Sequence, residues 1–173
     1  MFRKIVLLAT SVFAVNTVLA AGAGAETKQI PMVSIHSEMQ IAASPAAVWS
    51  YITTGKNFVT WCPNWKAARN ATIRITRVGD VLDYADEWGN GGRSIVTYCV
   101  MNKELRVAHE PFKGDYICQG KFTLTPAAGG TMLSFWDSYT DASAPKDMEA
   151  TLQKMQAGSD QSLKAIQQAL EKK

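Results

Sequence analysis

The stretch SPAAVWSYITTGKNFVTWCPNW, residues 44–65, holds three of the chain's five tryptophans and one of its three cysteines. It reads as two short helices in succession. Ser44 can cap exposed N–H groups, and Pro45 at the first helical position forfeits no hydrogen bond. Val48, Trp49 and Ile52 then fall on one side of a helix, which Gly55 is expected to end. A shorter helical piece over residues 57–61 stops at Cys62-Pro63. The stretch poses a choice between a reactive centre at Cys62 and a structural element that encloses something else. A cysteine nucleophile needs a lowered pKa and a nearby base. Nothing in the sequence sets a histidine beside Cys62, so a small buried residue or a disulfide partner is the plainer role. Trp49, on the apolar stripe, reads as core. Trp61 and Trp65 fit either the core or the rim of a cavity, since an indole buries much area and keeps a polar handle.

On the N-terminal side, Val33, Ile35, Met39 and Ile41 alternate with His36, Glu38 and Gln40, the pattern of a half-buried strand. On the C-terminal side the period changes to two. Strands are expected over residues 71–77, 81–88, 93–101, 105–110, 115–125 and 131–141, with a tight hairpin at Asn90-Gly91-Gly92. On the fifth of these, Tyr116, Cys118, Phe122 and Leu124 share one face. The turns between strands are short, which implies an antiparallel meander. Pro145 is expected to open a long helix with Met148, Leu152, Met155, Ser159, Ser162 or Leu163, Ile166 and Leu170 on its apolar side. Gly158 interrupts that side, where glycine costs ~1 kcal/mol against alanine in an exposed helix. It is expected to let the helix pass close to the sheet or bend.

The first 25 residues read as a secretory signal peptide. Phe2-Arg3-Lys4 is a basic start, residues 5–20 are largely apolar, and residues 21–25 are Ala-Gly-Ala-Gly-Ala. The apolar run is shorter than the ~20 residues that span a bilayer. Cleavage after Ala25 would leave one domain, residues 26–173, in the periplasm or the medium. Loss of Arg3 and Lys4 lowers the formal net charge from +3 to +1. No basic cluster then argues for nucleic acid, and no stable membrane insertion is expected. Cys62, Cys99 and Cys118 are an odd number, too few for a disulfide-dependent scaffold. Their spacings match no zinc pattern, and no metal or cofactor is expected. The oligomeric state is not legible.

One strand, two small helices, six strands and one long helix make an α+β chain. A long amphipathic helix must bury its stripe, and a twisted seven-stranded sheet offers a concave face for it. This order, with Ile41-Ala42-Ala43-Ser44-Pro45-Ala46-Ala47-Val48-Trp49, Trp61-Cys62-Pro63, Val78-Gly79-Asp80, Phe122-Thr123-Leu124-Thr125-Pro126, Gly130-Thr131 and Ser162-Leu163-Lys164-Ala165-Ile166, resembles the START-like, or SRPBCC, superfamily. The polyketide cyclase/dehydrase-like branch is the nearest. The resemblance implies a helix-grip fold, an antiparallel seven-stranded curved sheet with two small helices and a long C-terminal helix enclosing a cavity.

The resemblance also implies which strand faces line that cavity, and hence the candidate ligand-binding residues. These are Trp61, Tyr84, Trp88, His109, Tyr116, Phe122, Phe135, Asp137, Tyr139 and Met155. For residues 93–101 either face could serve. The set is mostly apolar with a few polar groups, the composition of a small-molecule pocket. An inward Asp137 would need a partner or a raised pKa. His109 fits equally well as a core residue satisfied by a hydrogen bond. No residue stands out as catalytic. The favoured reading is an exported carrier or sensor of a small hydrophobic or aromatic molecule. The alternative is a cyclase, dehydrase or isomerase that uses a cavity Asp or His as general acid/base. A third reading is an interaction protein with a fully packed interior.

Overall fold

The computed structural model describes residues 32–62, 65–69, 73–86, 91–113, 116–141 and 148–172. The elements, in chain order, are β1 (Met32–Ile41), α1 (Pro45–Ile52), α2 (Gly55–Trp61), β2 (Trp65–Ala68), β3 (Val81–Asp86), β4 (Gly91–Val100), β5 (Glu104–Pro111), β6 (Tyr116–Ala127), β7 (Gly130–Asp141) and α3 (Met148–Glu171). The seven strands form one sheet in the order β1-β7-β6-β5-β4-β3-β2. Every neighbouring pair is antiparallel. The meander runs in sequence from β2 to β7, and β1 closes the far edge against β7.

The helix pair forms as its residues dictate. The Ser44 side chain accepts a hydrogen bond from the Ala47 N–H, and Pro45 opens α1. Val48, Trp49 and Ile52 are its buried face. Gly55, however, begins α2 rather than ending α1, which stops at Ile52 with Thr53 as its cap. Both Thr53 and Thr54 turn their hydroxyls back onto carbonyls four residues earlier, those of Trp49 and Ser50. Those bonds accompany a chain break at the two threonines that needs no glycine.

The second strand also differs from expectation. Residues 73–77 do not form a strand: Arg74 makes one isolated bridge with Thr54. The backbone of this segment bonds the helix junction instead, Gly55 N–H to the Ile73 carbonyl and Ile75 N–H to the Thr53 carbonyl. Ile75 is fully buried there. The strand beside β3 is β2, four residues long. The segments expected to hold the signal peptide (1–25) and the start of the long helix at Pro145 lie outside the described residues; of the expected hairpin turn, Asn90 lies outside them too, while Gly91 and Gly92 are not turn residues but already belong to β4, paired with Ala85 and Tyr84.

α3 is fastened along β1. Gln156 donates to the His36 carbonyl and to Ser37 Oγ, and Ser37 donates to Asp160. Further on, Gln167 donates to the Gln40 carbonyl, and Glu171 accepts from the Ala42 N–H. The helix lays Ser159, Ser162, Leu163 and Ile166 into the core. They join Ile41, Val48, Trp49, Ile52, Phe58 and Trp61 from the first third of the chain and Leu105, Phe122, Leu124 and Leu133 from the sheet. Burying a side chain such as Leu163 contributes about 1.5–3 kcal/mol. Gly158 makes no close approach, since a Cβ there would meet no atom within 4 Å.

Candidate functional site

Sheet register decides which residues look toward α3. Opposite partners in antiparallel strands share a face. Asp137 pairs with Ile35 on one side and Gly120 on the other, and Phe135 with Ser37 and Phe122. Gly120 pairs with Val107, and Cys118 with His109 and Tyr139. His109 pairs with Ser94, and Ser94 with Leu82. The concave face therefore carries Leu82, Tyr84, Ser94, Val96, Leu105, Val107, His109, Cys118, Phe122, Leu133, Phe135, Asp137 and Tyr139. The register of β4 shifts between Val96 and Tyr98. This bulge turns Cys99 inward with Ser94 and Val96 and leaves Tyr98 outside.

Aromatic rings cover much of this face. Phe122 stacks on Phe135 with centroids 4.4 Å apart, and Trp61 meets Phe122 edge-on at 5.7 Å. Phe58 joins Trp61 to Trp65 at 4.8 and 5.3 Å. Trp65 lies flat on Tyr84 at 4.1 Å, and both rings stand edge-on to His109 at 5.9 and 6.2 Å. Gly92 makes room for Tyr84: a Cβ at Gly92 would fall 2.6 Å from the tyrosine hydroxyl oxygen. Trp61 is core, and Trp65 is half-buried.

Three polar side chains gather around Gly120. On the β6 side, directly across from Asp137, there is no side chain, so the carboxylate finds its partner on the diagonal. Cys118 Sγ donates to Asp137 Oδ1 at 2.9 Å. His109 Nε2 lies 3.7 Å from the position a Cβ on Gly120 would take. The other imidazole nitrogen, Nδ1, is 2.7 Å from Ser94 Oγ. Gly120 is thus the floor of a small polar patch set in an aromatic and aliphatic wall.

The electrostatics follow from withdrawal from water. Desolvation raises the Asp137 carboxyl from its ordinary 3.8 to about 6, against the pull of hydrogen bonds from Cys118 and the Ser138 N–H. Desolvation lowers the His109 imidazole to about 4, so it is neutral at physiological pH. The Cys118 thiol is pushed well up, by desolvation first and then by the Asp137 charge. It remains an S–H donor and is a poor nucleophile. Cys62 caps the C-terminus of α2, where its N–H meets the Phe58 carbonyl. None of the three cysteines is joined in a disulfide, and β5 stands between the strands of Cys99 and Cys118.

Of the residues singled out in the sequence, Trp61, Tyr84, His109, Phe122, Phe135, Asp137 and Tyr139 come together on this face or against it. Met155 is half-buried on α3, one turn before Ser159. Trp88 and the side chain of Tyr116 lie outside the described residues. Sequence reasoning missed Ser94 and Phe58, and it did not join Cys118 to Asp137. A surface cleft of about 640 Å³ among Ala47, Tyr51, Lys56, Arg74 and Leu170 draws nothing from the concave face. Among the described residues, no three His, Cys, Asp or Glu side chains are placed to hold a metal ion. No described helix is long and apolar enough to cross a membrane.

Seven curled antiparallel strands gripping one long helix, with two short helices at the side, define a helix-grip domain of the SRPBCC type. The chain belongs to the polyketide cyclase / dehydrase and lipid transport family, whose sequence model matches residues 32–171. No curated protein matches the chain. Among solved structures, protein CV1439 from Chromobacterium violaceum is similar with a TM-score of 0.65 at 17% identity, over 81% of this chain and 98% of that one. Ara h 8.0201 is similar with a TM-score of 0.63 at 12% identity, over 81% and 98%. DynU16, from the dynemicin biosynthetic locus, is similar with a TM-score of 0.59 at 15% identity, over 80% of this chain and 47% of that one.

Proposed function

We propose that this protein binds a small hydrophobic or aromatic molecule between the concave face of the sheet and α3, and that it does so outside the cytoplasm as a carrier or sensor. The observation that carries the reading is the polar patch at Gly120. A carboxylate, a thiol and a neutral imidazole sit together amid aromatic rings, although burying them costs free energy that an all-apolar core would avoid. Such an arrangement orients a ligand: the rings take its apolar body, and Asp137 and His109 Nε2 offer an acceptor and a tautomer-dependent donor or acceptor. Family membership supports a small-molecule role. The basic, apolar and small-residue order of residues 1–25 supports export.

One observation favours a second reading, a cyclase-, dehydrase- or isomerase-type enzyme. A carboxyl at about 6 is well placed to take a proton from carbon next to a carbonyl near neutral pH. The two readings separate on a simple test. Gently purified protein is examined by native mass spectrometry and then titrated with the neutral fluorophore N-phenyl-1-naphthylamine. A carrier retains a ligand unchanged or binds the probe with one-to-one stoichiometry. An enzyme converts a supplied β-keto thioester, and Asp137→Asn stops the conversion. A protein that neither retains a molecule nor binds the probe has a packed interior, and the carrier reading fails.

A further inference from the structure

Among the described residues, two buried polar atoms on the covered side of the sheet are left without hydrogen-bond partners: Trp61 Nε1 and Ser159 Oγ. Trp61 is 6% exposed and Ser159 4% exposed. The Trp61 ring packs against Phe122, and Phe122 against Phe135, the residue two before Asp137. Ser159 belongs to the face of α3 that enters the core. An indole N–H can only donate. A buried donor without an acceptor is disfavoured, and in folded proteins such an orphan calls for an explanation at that spot.

The charges narrow the matter further. Among the side chains described on the concave face there is one carboxylate, Asp137, and a neutral imidazole, His109. No lysine or arginine among the described residues lies on that face. A bound anion would meet Asp137 with no cation to offset it.

We propose that the interior is selective for uncharged molecules that carry an oxygen acceptor, such as a ketone, ester or ether, and that it discriminates against carboxylates. Trp61 Nε1 donates to that oxygen, and Ser159 Oγ supplies a second polar contact. Asp137 excludes anions. The inference rests on the small-molecule reading above and goes beyond it by stating which chemistry is admitted. A site built to satisfy a ligand oxygen discriminates strongly against the analogue that lacks it.

The test uses three matched flat aromatics, naphthalene, 2-acetonaphthone and 2-naphthoate, titrated into the full-length mature protein at pH 8 by calorimetry. The ketone is expected to bind about tenfold tighter than naphthalene, the worth of one well-made hydrogen bond. The naphthoate is expected to bind at least tenfold weaker than the ketone. Trp61→Phe keeps a ring and removes the N–H, and should bring ketone and hydrocarbon affinities together. Asp137→Asn should admit the naphthoate. A readout on the unsubstituted protein avoids any folding defect: one indole N–H resonance should move downfield with the ketone and stay with naphthalene. Equal affinity for all three compounds, a preference for the naphthoate, or an indole resonance indifferent to the ketone overturns the selectivity and leaves the carrier reading standing. Failure of all three to bind overturns both.

Discussion

Asp137 and His109 should make opposite contributions to stability over the same pH range. The Asp137 carboxyl titrates at about 6 in the folded protein against an ordinary 3.8. The folded state therefore keeps a proton that the unfolded chain has lost, and stability falls as pH rises from about 4 to about 6. At ~1.36 kcal/mol per pH unit, the full penalty above pH 6 is about 3 kcal/mol. His109 works in the other direction. Its imidazole is held at about 4 against an ordinary 6.5. The folded state refuses a proton that the unfolded chain accepts, so stability rises with pH from about 4 to about 6.5, again by about 3 kcal/mol. The Cys118 thiol is pushed upward and titrates outside this window. In the native protein the two slopes nearly cancel. Asp137→Asn, which keeps an amide oxygen for the Cys118 S–H, should unmask the rising limb. His109→Gln should unmask the falling one. The assay is urea unfolding at pH 4, 5, 6 and 7, with each variant's free energy taken relative to the native protein at the same pH, so that surface carboxylates drop out. The difference curves should diverge by several kcal/mol between pH 4 and pH 7. Difference curves that are flat for both variants would show that neither group is withdrawn from water, and the polar patch would lose its electrostatic basis.

Other outcomes follow from the same geometry. Gly120→Ala puts a Cβ 3.2 Å from both Phe135 and Val107 and 3.7 Å from His109 Nε2; chemical denaturation should show a loss of about 1–3 kcal/mol, the usual cost of overpacking. Phe135→Ala removes the ring stacked on Phe122 and should weaken N-phenyl-1-naphthylamine binding by about 1–3 kcal/mol at ~25 cal/mol per Å² of lost apolar contact, whereas Cys62→Ser should leave fluorescence titrations unchanged. Loss of binding in Cys62→Ser with Phe135→Ala silent would point to thiol chemistry instead. N-terminal sequencing of protein recovered from the medium or periplasm should begin at or near Glu26, and cytoplasmic accumulation of the full chain would exclude export.

Much of the fold was legible because its signals are local. Alternation along residues 81–141 gave the six-stranded course of the meander apart from one strand, and Ser44-Pro45 gave the start of α1. The exception was expected over residues 71–77, of which the described part, 73–77, alternates as a strand does, with Ile73, Arg74 and Ile75 in sequence. Its backbone is claimed instead by the helix junction through Gly55 and Thr53, a long-range bond that no local pattern reveals. The true strand, Trp65–Ala68, is too short to show a period. In β4 both faces looked apolar, and the bulge at Thr97 explains why: parity changes partway along the strand, without a glycine to mark it. The candidate site was half legible. An inward aspartate invited a partner, but naming Cys118 required the register that sets Gly120, with no side chain, directly opposite Asp137. Likewise Ser94 meets His109 only through the β4–β5 pairing. The unpartnered Trp61 N–H has no signature in sequence at all, since it depends on what the fold fails to bring near it.

The central claim is that the space between sheet and long helix receives a small molecule at the Gly120 patch. Amide and side-chain NMR of the protein titrated with N-phenyl-1-naphthylamine tests this most directly. The account predicts saturable shifts concentrated at Gly120, Cys118, Phe122, Phe135 and Asp137, with the Trp61 indole among them. Shifts confined to the outer face of the sheet, or to the cleft around Tyr51 and Arg74, with the Gly120 signals unmoved at saturation, would contradict it.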